Sequence, residues 1–105
     1  MGFIRHDAIV VTAWSGSQAE AARGRAIDLK LPVTDLTEGE INGYVSFLIA
    51  PDGSKEGWED SDYGDKARKE WIKWANEMQT VDWAHVSFGG DQPEAAHLVD
   101  FSDSE

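Results

Sequence analysis

"VDWAHVSFGG", residues 81–90, decides how the chain is layered, because its alternation can be read toward either face. β-Branched and aromatic residues closed by two glycines make a strand. Successive side chains of a strand point to opposite faces. One set is Ala84, Val86 and Phe88, and the other is Trp83, His85 and Ser87. The first is wholly apolar and the second is mixed. The first is therefore expected to face the core.

Upstream, "HDAIVVTAW" (6–14) reads as a buried strand, and "INGYVSFLIAPDG" (41–53) as another closed by a Pro-Asp-Gly turn. Sorted in the same way, Ile9, Val11, Ala13, Val45, Phe47 and Ile49 join the core set. His6, Ala8, Val10, Thr12, Trp14, Tyr44, Ser46 and Leu48 join the mixed set with Trp83, His85 and Ser87. The mixed face then gathers the rings of Trp14, Tyr44 and Trp83 beside His6 and His85.

Helical spacing fills the intervals. "SGS" (15–17) breaks the first strand, and Ser17 followed by Glu20 is a capping-box pattern that predicts a helix start. Ala19, Ala22, Ala26 and Leu29 form its apolar side, with Gly24 off that side and Pro32 as the stop. "VTDLTE" (33–38) carries a weaker strand pattern. A second helix runs from about Ser61 to Met78, with Ala67, Trp71, Trp74, Ala75 and Met78 on one face. Lys66, Glu70, Lys73 and Glu77 alternate in sign at i,i+4 spacing on the solvent side. Before it, "PDGSKEGWEDSDYGD" (51–65) divides into turn chemistry and the acids Asp60, Asp62 and Asp65, placed with Ser61 where caps and the helix dipole favour them. Trp58 lies outside both patterns, as a staple at the core's edge or an exposed contact.

"AHLVDF" (96–101) is an edge strand or a packed tail, and "SDSE" (102–105) is expected to be a disordered acidic tail. The element order is β-α-β-β-α-β, with room for one extra C-terminal strand. That order predicts a single α+β domain over residues 1–101 of the ferredoxin-like split βαβ kind, with two helices on one face of an antiparallel sheet.

Composition bounds the function. The chain has 105 residues, 41 % of them hydrophobic, no cysteine, and a formal net charge of −11. Without cysteine, disulfides, thiol catalysis and cysteine-ligated zinc are excluded. No apolar run approaches the roughly 18 residues of a membrane span, and the N-terminus lacks a signal-peptide cleavage site, so a cytoplasmic protein without membrane association is expected. The charge repels phosphate backbones, which disfavours nucleic acid, and attracts the basic surfaces of other proteins.

Catalytic patterns are missing. There is no H-E-x-x-H, G-x-S-x-G, P-loop or G-x-G-x-x-G. His6 and His85, with Asp7, Asp82 or Asp100, are the nearest approach to a metal set, and His97 stands apart. "DGSKEGWEDSDY" (52–63) imitates a calcium loop through Asp52, Ser54, Glu56 and Gly57 but has Tyr63 where a bidentate Glu is needed. The expectation is a protein that is not an enzyme, with no catalytic residue, no metal and no cofactor. The candidate partner-binding residues are Trp14, Tyr44, Trp58, Trp83 and His85, facing a basic protein surface or a second copy in a homodimer. The alternative is a small anionic ligand, a phosphate or carboxylate, at the helix start formed by Ser15, Gly16 and Ser17. Arg5, Arg23 or Arg25 would assist there, with ring stacking on Trp or Tyr.

Together, "GFIRHDAIVVTAW" (2–14), "INGYVSFLIAPDGSKEGWEDSDYGD" (41–65) and "DWAHVSFGGD" (82–91) resemble a group of small proteins encoded by phages and prophages. The resemblance spans most of the chain and implies a compact acidic protein made in a bacterial cytoplasm. It further implies inhibition of a host or defence component by binding, or sequestration of a signalling nucleotide. It transfers no catalytic residue.

Overall fold

The computed structural model describes residues 5–39, 42–51, 59–89 and 97–102. Its elements are β1 (Arg5–Ala13), α1 (Gly16–Asp28), β2 (Thr37–Glu38), β3 (Val45–Ile49), α2 (Glu59–Met78), β4 (Val81–Gly89) and β5 (His97–Phe101). The strands form one five-stranded sheet in the order β2-β3-β1-β4-β5, with every neighbouring pair antiparallel. The architecture is α+β, and the C-terminal segment that sequence left open between strand and tail is a strand.

The register of β4 corrects the layering expected above. Val81, Trp83, His85 and Ser87 lie opposite Ala13, Val11, Ile9 and Asp7. Directly opposed residues share a face, so Trp83, His85 and Ser87 belong with the core set and Ala84, Val86 and Phe88 point away. A strand read one residue out of phase sends every side chain to the wrong side. The physical reason is that the large Trp83 ring, with Val81, gains more from burial than the smaller alternate set. The polar residues His85 and Ser87 follow it inward because their end of the sheet supplies polar neighbours.

The core fills the space between this face and the two helices. Ile9, Val11, Ala13, Val45, Phe47, Ile49, Val81 and Trp83 come from the sheet, Ala19, Ala22 and Ala26 from α1, and Ala67, Trp71 and Ala75 from α2. The small α1 residues let that helix approach closely, and Trp71 fills the interval between helices. Its indole N–H donates to the Ala22 carbonyl at 3.0 Å. This satisfies the one polar atom of a side chain whose burial contributes about 4–6 kcal/mol. Lys66, Glu70, Lys73 and Glu77 are exposed as expected, and so is Met78, which sequence assigned to the apolar face. Met78 is the last residue of α2, where the helix leaves the core.

Local chemistry moves several boundaries. Helix α1 is capped by Ser15, not Ser17: its side chain accepts from the Gln18 N–H at 3.4 Å. The operative pattern is Ser15-x-x-Gln18, two residues before the one expected. The helix ends before Pro32, in a Schellman turn in which Lys30 takes φ 63°. There the Lys30 N–H bonds the Ile27 carbonyl and the Leu31 N–H bonds that of Ala26. β3 is confined to Val45–Ile49 because Asn42 and Gly43 adopt φ of 65° and 73°, the turn geometry of an Asn-Gly pair. "VTDLTE" follows the β3 edge in pieces, through a bridge at Val33, the Thr34 hydroxyl accepting from the Leu48 N–H at 2.9 Å, and the short β2. Ser102, assigned to the tail, exchanges two bonds with the Trp83 main chain. Residues 103–105 lie outside the described residues, as do residues 52–58 with most of the turn and of the calcium-like loop, whose last position, Tyr63, stands in α2.

Candidate functional site

Both helices pack on one face of the sheet, and the other is partly exposed among the described residues, with Ala8 buried within it. That face is built from alternate residues of adjacent strands. It holds His6, Val10 and Thr12 of β1, Ser46 and Leu48 of β3, Ala84, Val86 and Phe88 of β4, and Leu98 and Phe101 of β5. Val10 is 47 % exposed, Leu98 52 % and Phe101 58 %. Ring contact between His6 and Phe88, with centroids 5.3 Å apart, orders one end. A Thr12–Ser46 hydroxyl bond of 2.8 Å is its main polar feature. Trp14, 69 % exposed, follows β1 at the opposite end, and Tyr44, also exposed, precedes β3. An apolar face of this extent cannot be dismissed as the scattered hydrophobes of any protein surface.

The helix side carries a different kind of site. Asp7, Arg68 and Ser87 are the buried polar residues of the described chain, and they line one cleft of about 500 Å³ with Asp65, His85 and Val99. Arg68 lies 3.8 Å from Asp7 and bonds Asp65 one turn earlier on α2. His85 Nε2 stands 3.3 Å from Asp7 Oδ1. The Asp7 carboxylate is thus shared between a guanidinium and an imidazole, the arrangement that fixes a histidine's orientation. An activated nucleophile is not assembled: the buried Ser87 hydroxyl has no hydrogen-bond partner among the described residues, His85 included. Val99 enters the cleft because a bulge in β5 inserts it between Leu98 and Asp100, which pair with Val86 and His85.

The predicted site residues therefore separate. Trp14 and Tyr44 are exposed where a partner can reach them. Trp83 and His85 are not on the open face; Trp83 is 4 % exposed beneath the helices, and His85 belongs to the cleft. Trp58 lies outside the described residues, as does the side chain of His97. His6 and His85 point to opposite faces and share no site, and no group of three or more metal-ligating side chains occurs among the described residues. Ser15, Gly16 and Ser17 do form a helix start, but the Ser15 hydroxyl is used by the Gln18 N–H. Arg23, named as an anion partner, instead donates to the Thr34 carbonyl at 2.8 Å and lies 3.5 Å from Asp35.

Sequence reasoning missed Arg68 and named Asp7 only as a possible metal ligand beside His85, although both residues leave a signal of the pair they form. Arg68 stands beside Ala67, and three residues before Trp71, on the apolar face of α2. Asp7 continues the odd-numbered core set Ile9, Val11 and Ala13. A charge on each of two packed faces implies that they meet. No helix of the described residues is long and apolar enough to cross a membrane. Compared with protein-family models, curated proteins and solved structures, the chain matches none.

Proposed function

We propose that this chain is a non-enzymatic binding protein that occupies a basic surface of another protein with its open sheet face. The carrying observation is the run of exposed Val10, Phe88, Leu98 and Phe101 on one sheet face of a chain with net charge −11. Apolar side chains supply the contact area, and the surrounding acids steer a basic partner and disfavour acidic ones. In the phage-type setting implied by the sequence resemblance, the partner is a host or defence component in the bacterial cytoplasm, blocked by occupation. Within the same proposal, the core is a ferredoxin-like split βαβ unit extended by β5. Its support is that α1 leads from β1 to β2 across β3, while α2 leads from β3 to β4 across β1.

Site-specific photocrosslinking tests the reading. A crosslinking residue at Leu98 is expected to capture a basic protein in the cells where the chain acts, with yield falling as salt rises. The same residue at Glu70, on the exposed side of α2, is expected to capture none. Equal capture from both positions, or an acidic adduct from Leu98, would sink the proposal. Sedimentation over a wide concentration range distinguishes the homodimer, which would bury this face against itself.

A second reading, a small polar ligand in the Asp7–Arg68–His85 cleft, is favoured by the unpartnered Ser87 hydroxyl. A thermal-shift screen with nucleotides and amino acids separates it from the first. A true ligand at a hundredfold excess over Kd stabilises by about 2.7 kcal/mol.

A further inference from the structure

A second cleft, of about 760 Å³, opens at the end of the sheet where β1 stops, β4 begins and α1 starts. Trp14, Gln18, Asn76, Asp82, Trp83 and Asp100 line it. Two of these residues hold buried polar atoms with no hydrogen-bond partner among the described residues: the Trp83 indole N–H and the Gln18 Oε1. One is a donor and the other an acceptor, and buried groups of this kind are rarely left without a partner, because each has given up its hydrogen bonds to water. Gln18 has an obvious alternative, since a capping box would turn its oxygen back to the Ser15 N–H. It does not make that bond.

The rest of the lining says what the pair could receive. Asp82 and Asp100 bring negative charge, and among the described residues no lysine or arginine lines the cleft, so a phosphate or carboxylate is repelled. The 69 % exposed Trp14 ring offers a face for a cation. We propose that this cleft takes an arginine of the partner's basic surface, presented on an extended segment. The guanidinium rests on Trp14 beside Asp82 and donates to Gln18 Oε1, while a main-chain carbonyl of the same segment accepts from the Trp83 indole. Planar multi-donor recognition with stacking is the property that sets arginine apart from lysine. Both receiving atoms are closed off by their neighbours, and the half-exposed Gln18 side chain must turn to admit the segment.

This inference rests on the reading that the partner is a basic protein, and it is tested without that partner. The ¹⁵N-labelled chain is titrated at low salt with N-acetyl-Gly-Arg-Gly-amide and with the matched Gly-Leu-Gly peptide. The arginine peptide is expected to shift the Trp14 and Trp83 indole and Gln18 amide resonances along one saturating curve, and the leucine peptide to leave them in place. Trp14→Ala and Asp82→Asn, both at exposed positions, should each weaken that curve at least fivefold. Shifts confined to exposed backbone amides would mean plain charge attraction and would overturn the proposal, as would equal effects of the two peptides. Saturation here combined with no capture from Leu98 would defeat the sheet-face reading alone; capture from Leu98 with silent tryptophans would defeat only the cleft.

Discussion

The two faces of this sheet are built by the same strands with opposite rules. On the helix face, Ile9, Val11 and Ala13 are sealed, and the charges Asp7 and Arg68 are buried with one another. On the open face, a residue away along the same strands, Val10 and Phe88 stand in solvent. Stability explains the first face and does not explain the second. Folding buries apolar area wherever it can, so apolar side chains left exposed on a continuous surface point to an interaction made after folding. The contrast also separates two uses of polarity: enclosed and mutually paired under the helices, diffuse and repulsive on the outside.

β4 offers the strongest way to break that comparison, because it contributes to both faces. Trp83→Ala is expected to cost about 3–5 kcal/mol, the usual result of emptying a buried aromatic site. Phe88→Ala, on the exposed alternate, should cost under about 1 kcal/mol, mostly through its ring contact with His6. Urea unfolding of the two variants measures both. Equal losses would mean that the register of β4 against β1 is shifted by one residue.

The charged pair gives the next effect. Arg68→Ala leaves the buried Asp7 carboxylate without its guanidinium, and a loss of about 3 kcal/mol is expected. Asp7→Asn combined with Arg68→Met should recover much of that loss, since the desolvation cost disappears with both charges. Urea midpoints of the unmutated chain, Arg68→Ala and the double variant decide the matter. A double variant no better than Arg68→Ala would show that the pair acts through hydrogen bonds to neighbours more than through its charge.

These residues mark how far the sequence could be read. Both helices, the central strand and the core residues of β1 and β3 were legible, since each shows an unambiguous period of apolar residues. β4 was legible as a strand but not as a face, because either alternate set could be buried. The outcome depended on Trp83 finding room between α1 and α2, a long-range fact that local spacing does not contain. Arg68 was hidden differently: on a helix, a lone arginine beside an apolar face is ordinarily written off as snorkelling to water. Its burial follows from Asp7, 61 positions earlier in the chain. The candidate site was half legible, Trp14 and Tyr44 from their position beside the strands, while Phe88 became visible only with the register of β4, and Leu98 and Phe101 only with the pairing of β5.

The smallest effect carries the contrast between packed and open sides onto α1. Ala22, facing the sheet, is fully buried, and its carbonyl accepts the Trp71 indole. Gly24, two residues on, is half-buried, and a methyl added there would meet no atom within 4 Å. Gly24→Ala therefore removes backbone entropy from the unfolded chain without a clash, and it should stabilise by about 0.5–1 kcal/mol. Ala22→Val introduces extra volume into a close-packed contact and should destabilise by about 1–3 kcal/mol. Thermal unfolding of the two variants reads the opposite signs directly. If Gly24→Ala were instead destabilising, a surface of α1 taken as open would have to be in contact with something, and the division between the packed and the available sides of the molecule would need redrawing.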